Sequence, residues 1–225
     1  MTGCAPDGSP SVAPAVRPRL RGTSHLLAFG ASLLTGPLLL AVAPSGAARL
    51  ATGVYALSLS ALFGVSALYH RCTWTPAKRR WLRRLDHAMI FLLIAGTYTA
   101  IAGLALPRST ALPILLVVWC GALVGAALQF VSGHGARWLA VGPYVALGWT
   151  AVAVLPQLLE QLGYAGFGLL LGGAVLYTVG AFVYARRRPD PRPAVFGYHE
   201  VFHLLVIGAA AAHYATVVGV VLPRL

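Results

Sequence analysis

"LYHRCTWTPAKRRWLRRLDHAMIFLLIAGTY", Leu68 to Tyr98, packs six cationic side chains into its first seventeen residues and then turns apolar. Before the cations, Leu50–His70 holds no Asp, Glu, Lys or Arg; after them, His87–Pro107 holds none either. About 20 residues of helix at roughly 1.5 Å each cross a hydrocarbon layer of about 30 Å. The stretch therefore reads as a basic connection between two membrane helices.

Five further charge-free windows extend the pattern: Gly22–Ala48, Ser109–Ala136, Trp138–Leu159, Gln161–Ala185 and Val201–Pro223. Together they predict an all-α membrane protein, a seven-transmembrane helix bundle over residues 19–225. Composition agrees, since 58% of the 225 residues are apolar and only 10% charged, against about a quarter charged in soluble domains. No window alternates with the period of a barrel strand. Residues 1–18 are rich in Pro, Ser, Gly and Ala, lack an apolar block and the layout of a signal peptide, and are expected to be disordered. The absence of an internal repeat weighs against a two-fold transporter design.

A net charge of +12 raises the question of nucleic acid. Assigning connections alternately to the two membrane faces puts 14 of the 17 cations on one side, leaving Arg49, Arg108 and Arg224 on the other. That asymmetry is the positive-inside pattern; it predicts a multi-pass protein with a cytoplasmic N-terminus and an extracytoplasmic C-terminus. The basic loops read as contacts for anionic inner-leaflet lipids, with no nucleic-acid partner. Arg79 to Arg84 with Trp81 and Leu82 read as a short amphipathic turn lying on the inner leaflet.

Small residues mark expected close helix contacts at Gly121, Gly125, Gly172, Gly173 and Gly208. Pro37 is expected to bend or end the first helix and Pro143 to kink a later one. Cys4, Cys72 and Cys120 have no metal-motif spacing and no disulfide placement, although Cys72 lies near enough to His70 to be a minor ligand candidate.

Ionisable residues at helix ends are where this topology concentrates chemistry. His70 closes the second window, Asp86 precedes the third, and His199 and His203 open the last, so all four fall at the same membrane face. His199 and His203 are four apart and share one helix face, as do Ser66 and His70. Three histidines plus an open position form the catalytic arrangement for zinc, making His70, His199 and His203 candidate metal ligands. Asp86 is the single acid between Pro10 and Leu159, read as a base acting beside the metal, a direct ligand, or a helix N-cap. Glu200 points away from His199 and reads as a first-turn acid or an arginine's partner. His25, His87 and His134 read as interfacial, and His213 as a deeper polar group bonded across helices or lining a cavity with Tyr98 or Tyr214.

Four motifs carry a resemblance: "FGVSALYH" (Phe63–His70), "RRWLRRLDHAMIFLLIAGTYT" (Arg79–Thr99), "LYTVGAFVYARRRPDP" (Leu176–Pro191) and "FGYHEVFHLLV" (Phe196–Val206). The chain from Arg21 onward resembles the haemolysin-III-like bacterial branch of the progestin and adiponectin receptor family, which is related to ceramidase-like membrane hydrolases. The resemblance implies a seven-helix bundle with the N-terminus inside and zinc near the cytoplasmic face. It implies His70, His199 and His203 as ligands, with Ser66 and Asp86 beside them. Ala100 stands after Thr99 where relatives commonly carry proline.

The expectation drawn from these residues is a zinc-dependent hydrolase of a lipid amide or ester, with Asp86 and Ser66 catalytic; the resemblance implies a place in the bacterial inner (plasma) membrane and a role in membrane homeostasis. The alternative is a non-enzymatic, metal-stabilised sensor or regulator, or a haemolysin III-type pore-forming protein. Membrane lipid is the expected partner and substrate; the sequence leaves the oligomeric state open.

Overall fold

The computed structural model describes residues 18–131 and 137–225, and these form α-helices joined by short connections. In chain order they are α1 (Thr23–Val42), α2 (Gly46–Arg71), α3 (Pro76–Ala105), α4 (Arg108–Val131), α5 (Arg137–Gly148), α6 (Leu155–Arg186) and α7 (Tyr198–Thr216). A 3-10 segment, Trp149–Val154, joins α5 to α6, and π and 3-10 turns extend α7 to Arg224. Residues 1–17 of the expected disordered tail, with Cys4 among them, and His134 lie outside the described residues.

The expectation of seven crossings is corrected. Among the described residues six helical segments are long and apolar enough to span a membrane, because Val141–Arg186 is one run of 46 residues. The charge count divided this run at Glu160, yet a single exposed carboxylate in a stretch of good helix formers does not end a helix. The interruption lies instead at Gly163, whose φ of 67° and ψ of 175° leave helical space. Six spans give no basis for termini on opposite faces, so the expected cytoplasmic N-terminus and extracytoplasmic C-terminus are withdrawn as a pair.

Local sequence explains the helix boundaries. Ser45 caps α2 by accepting from the Ala48 N–H at 3.2 Å. Thr75 does the same for α3 through Lys78 N–H at 3.4 Å, with Pro76 in the first turn. The basic run from Lys78 to Arg84 therefore forms the opening turns of α3 itself; it is no separate surface helix. Pro37 sits inside α1, which continues to Val42, and Pro143 sits inside α5.

Side chains sort the helices by depth. The apolar windows of α2 and α3 are 56% buried and those of α1 and α4 only 28%, which puts α2 and α3 at the centre. Leu27, Leu34, Leu50 and Val131 are exposed on faces that suit lipid. Packing follows the chain: α1 on α2, α2 on α3, α3 on α4, and separately α6 on α7. Of the five expected glycine contacts, Gly121, Gly125 and Gly173 face Leu147, Phe91 and His213, whereas Gly172 meets nothing within 4 Å and Gly208 has ordinary contact.

The neighbouring pair Gly172 and Gly173 gives a direct test. Gly173→Ala drives a methyl into the His213 ring and should cost about 1–3 kcal/mol, the usual price of overpacking. Gly172→Ala should stay within about 0.5 kcal/mol of the parent, as at other open positions. Thermal unfolding of both variants in detergent checks the difference.

Candidate metal centre

The last turn of α2 and the first two turns of α7 meet at one end of the bundle. Burial there is nearly complete: His70, His199 and His203 are all buried, and each offers a ring nitrogen within 4.8 Å of the other two. His199 Nε2 and His70 Nε2 are 3.1 Å apart. Ring centroids are separated by 4.5 Å for His199 and His203, and by 5.2 Å for His70 and His203. Nδ1 of His203 is buried without a hydrogen-bond partner.

A metal ion fits this donor set. Nitrogens sharing a tetrahedral ion through bonds of roughly 2.0–2.1 Å sit roughly 3.3 Å from one another, close to the separation of the His70 and His199 atoms. Buried polar nitrogens normally find a partner, and the orphaned nitrogen on His203 marks a place where the protein alone does not supply one.

Asp86 lies ten residues into α3, three turns beyond the Thr75 cap, so it does not cap the helix. Its Oδ2 approaches His70 Nε2, the same nitrogen that meets His199, at 3.8 Å. The Ser66 hydroxyl is 2.8 Å from His25 Nδ1. Ser66 and Asp86 thus flank the trio from α2 and α3.

His25 departs from its expected interfacial position. Rather than sitting at the interface it is buried, and its ring stacks on His203 at 3.7 Å with an interplanar angle of 7°. One edge thereby reaches Ser66 while the face braces a member of the trio. The signal in the sequence is slight: His25 is the third residue of α1, at the end of the bundle where α2 finishes. His87 also differs from expectation, lining the cavity beside the trio, with Nδ1–H donating to Arg83 O at 2.6 Å and Nε2 3.4 Å from the Tyr184 hydroxyl. Cys72 is exposed at the end of α2, outside the trio.

The segment before α1 closes over this end. Arg19 and Leu20 N–H groups donate to Ala194 and Val195 carbonyls at 3.0 and 3.1 Å. Arg21 Nε lies 2.6 Å from Glu200 Oε1, and Arg71 Nη1 donates to Thr23 Oγ1 at 3.1 Å. Glu200 also accepts the Gly197 N–H at 2.8 Å, so it serves both the first turn of α7 and an arginine, as expected. Gly22 has φ 78°, and a Cβ there would lie 2.6 Å from His70 Cβ.

Three cavities run from the trio into the bundle. The first, about 270 Å³, is lined by His70, His199, Asp86 and three arginines. The second, about 120 Å³, is mostly apolar and shares Ile90, Tyr144, Ala181 and Phe202 with it. A third, about 70 Å³, shares Tyr98, Trp149 and His213 with the second. His213 donates from Nε2–H to Leu170 O at 3.1 Å, which joins both expectations for it, a cross-helix bond and a cavity wall with Tyr98.

Membrane helices enclosing a buried histidine trio define a class of multi-pass membrane protein able to chelate a metal. The chain belongs to the haemolysin-III related family, whose model matches residues 14–214. It is 31% identical over 179 residues to hemolysin-3 of Bacillus cereus, covering 80% of this chain and 78% of the relative. To the hemolysin-3 homolog of Bacillus subtilis (strain 168) it is 30% identical, covering 72% of each. An adiponectin receptor protein of Drosophila melanogaster is 25% identical, over 74% of this chain and 41% of that protein. The family and the spans together indicate a multi-pass protein of the bacterial plasma membrane.

Gly22 tests whether the covering segment shapes the trio. Gly22→Ala forces a side chain into a left-handed conformation and against His70. The expected loss is about 1–3 kcal/mol, read as a lower unfolding temperature. Gly46→Ala, with nothing within 4 Å, is the control that should change little.

Proposed function

We propose that the protein is a zinc-dependent lipid hydrolase that cleaves an amide or ester bond at the cytoplasmic face. One observation carries this reading: the cavity lined by His70, His199 and Asp86 shares four wall residues with an apolar cavity inside the membrane-spanning part. A molecule that is polar at one end and aliphatic along its length matches that gradient. The cytoplasmic assignment rests on the cations clustered at this end, among them Arg21, Arg71, Arg79 and Arg83.

His70, His199 and His203 would hold the zinc. When bound, zinc polarises a carbonyl and lowers the pKa of water toward about 7. Asp86, next to His70 Nε2, accepts the proton from the water that attacks the carbonyl carbon and delivers it to the leaving nitrogen or oxygen. The carbon–oxygen bond forms, the carbon–nitrogen or ester carbon–oxygen bond breaks, and a fatty acid leaves with an amine or alcohol. Ser66, aimed by His25, positions the water or steadies the developing oxyanion. Zinc takes imidazole as a ligand through an unprotonated ring nitrogen. The relatives' name, hemolysin-3, raises pore formation, but the apolar walls of the two deeper cavities offer ions little solvation.

Metal analysis of purified protein should find about one zinc per chain, lost in His199→Ala and His203→Ala. Unchanged zinc content in those variants ends the proposal. Incubation with bacterial lipid extract should release fatty acid by mass spectrometry, and Asp86→Asn should slow release by at least about a hundredfold while retaining zinc.

A further inference from the structure

The cavity beside the trio has a charge bias that hydrolysis does not require. Arg21, Arg79 and Arg83 line it, against the single carboxylate of Asp86. Arginines at a membrane boundary normally serve topology by reaching into water and lipid head groups. These three also share the walls of one space of about 270 Å³ with His70 and His199.

Arg79 and Arg21 are held in place by contacts of their own. The guanidinium of Arg79 lies over the Tyr69 ring, 5.5 Å from its centroid. A guanidinium stacked by its face keeps its N–H donors at the edge, available to a planar or tetrahedral oxyanion. Arg21 is anchored through Nε to Glu200 Oε1, and the backbone pairing of Arg19 and Leu20 fixes the segment that carries it. Arg83 comes from the same helix as Arg79, one turn further along and three residues before Asp86. Preorganised arginines bind carboxylate and phosphate oxygens through charge-assisted, often bidentate hydrogen bonds, which the neutral hydroxyls of a glycerol or sphingoid head cannot match.

We propose that this cavity binds an oxyanion head group, phosphate or carboxylate, so that the ligand is an anionic single-chain lipid whose chain enters the adjoining apolar cavity. This rests on the reading of the site as a lipid site, and it goes further by assigning the charge of the head. Arg79 and Arg83 hold the oxyanion, with Arg21 closing the cavity from the segment before α1. Ile90, Tyr144, Ala181 and Phe202, shared by both cavities, mark where head gives way to chain.

The test uses the full-length protein in neutral detergent, with binding read by native mass spectrometry and independently of turnover. Probes are lysophosphatidic acid, a monoacylglycerol of the same chain, and inorganic phosphate. Lysophosphatidic acid should bind at least about tenfold more tightly than the monoacylglycerol, the size of one charge-assisted hydrogen bond. Arg79→Gln and Arg83→Gln should each remove most of that preference with zinc content unchanged, while Arg79→Lys keeps part of it. Equal affinity for the two lipids overturns the proposal, as does a preference that survives both glutamine variants. Inorganic phosphate binding as tightly as the lipid, with the same arginine dependence, would make this a free-anion site and overturn the lipid assignment. If Arg79→Gln does not fold, Arg79→Lys and Arg83→Gln carry the comparison. A charge preference without any fatty-acid release would defeat the hydrolase reading and leave this inference standing.

Discussion

Burying several imidazoles away from water is the constraint around which this end of the molecule is organised. The extensive helix packing falls into two sets, α1 through α4 in chain order and α6 with α7, with fewer contacts between the sets. His70 belongs to the first set and His199 and His203 to the second. The trio therefore sits on the junction, and His25 of α1 braces it by stacking on His203. Deeper along the junction, the Tyr214 hydroxyl donates to Thr35 O at 2.9 Å and Tyr55 reaches Ala210 O at 3.4 Å. A metal bound by all three histidines would join the sets where the polar content is densest, since removing one partner of a buried polar group leaves the others unsatisfied.

The same junction explains the gradient of the cavities. At the histidine end the walls carry arginine, aspartate and tyrosine; one step inward they carry leucine, isoleucine and phenylalanine. Chemistry is thus available where the bundle meets the head-group region, and the interior offers room without solvation. His213 interrupts that apolar stretch, but its Nε2–H is committed to Leu170 O and Gly173 makes room for the ring.

Much of this was legible in the sequence because charge-free windows and i,i+4 spacing are local properties. Ser66, His70, Asp86, His199 and His203 stand out from the edges of charge-free windows and from i,i+4 spacing, and the structure gathers all five at one place. The span count failed where a local rule was asked to decide a tertiary question: Glu160 divides a composition window but not a helix, and the break occurs at Gly163. His25 was hidden because stacking depends on how α1 leans on α7, which no spacing encodes. Asp86 was set at a helix start because the preceding cations look like a loop, whereas Thr75 and Pro76 begin the helix ten residues earlier.

The pairing of residues 19 and 20 with the 194–195 loop, together with the glycine seated on His70, has an evolutionary consequence. A segment from the beginning of the chain and a connection near its end behave as one inherited unit, although more than 170 positions separate them. Homologues that alter the length or register of either partner must alter the other in step, or lose the enclosure of the histidines. Chimeras between family members should be cut with both pieces drawn from the same parent.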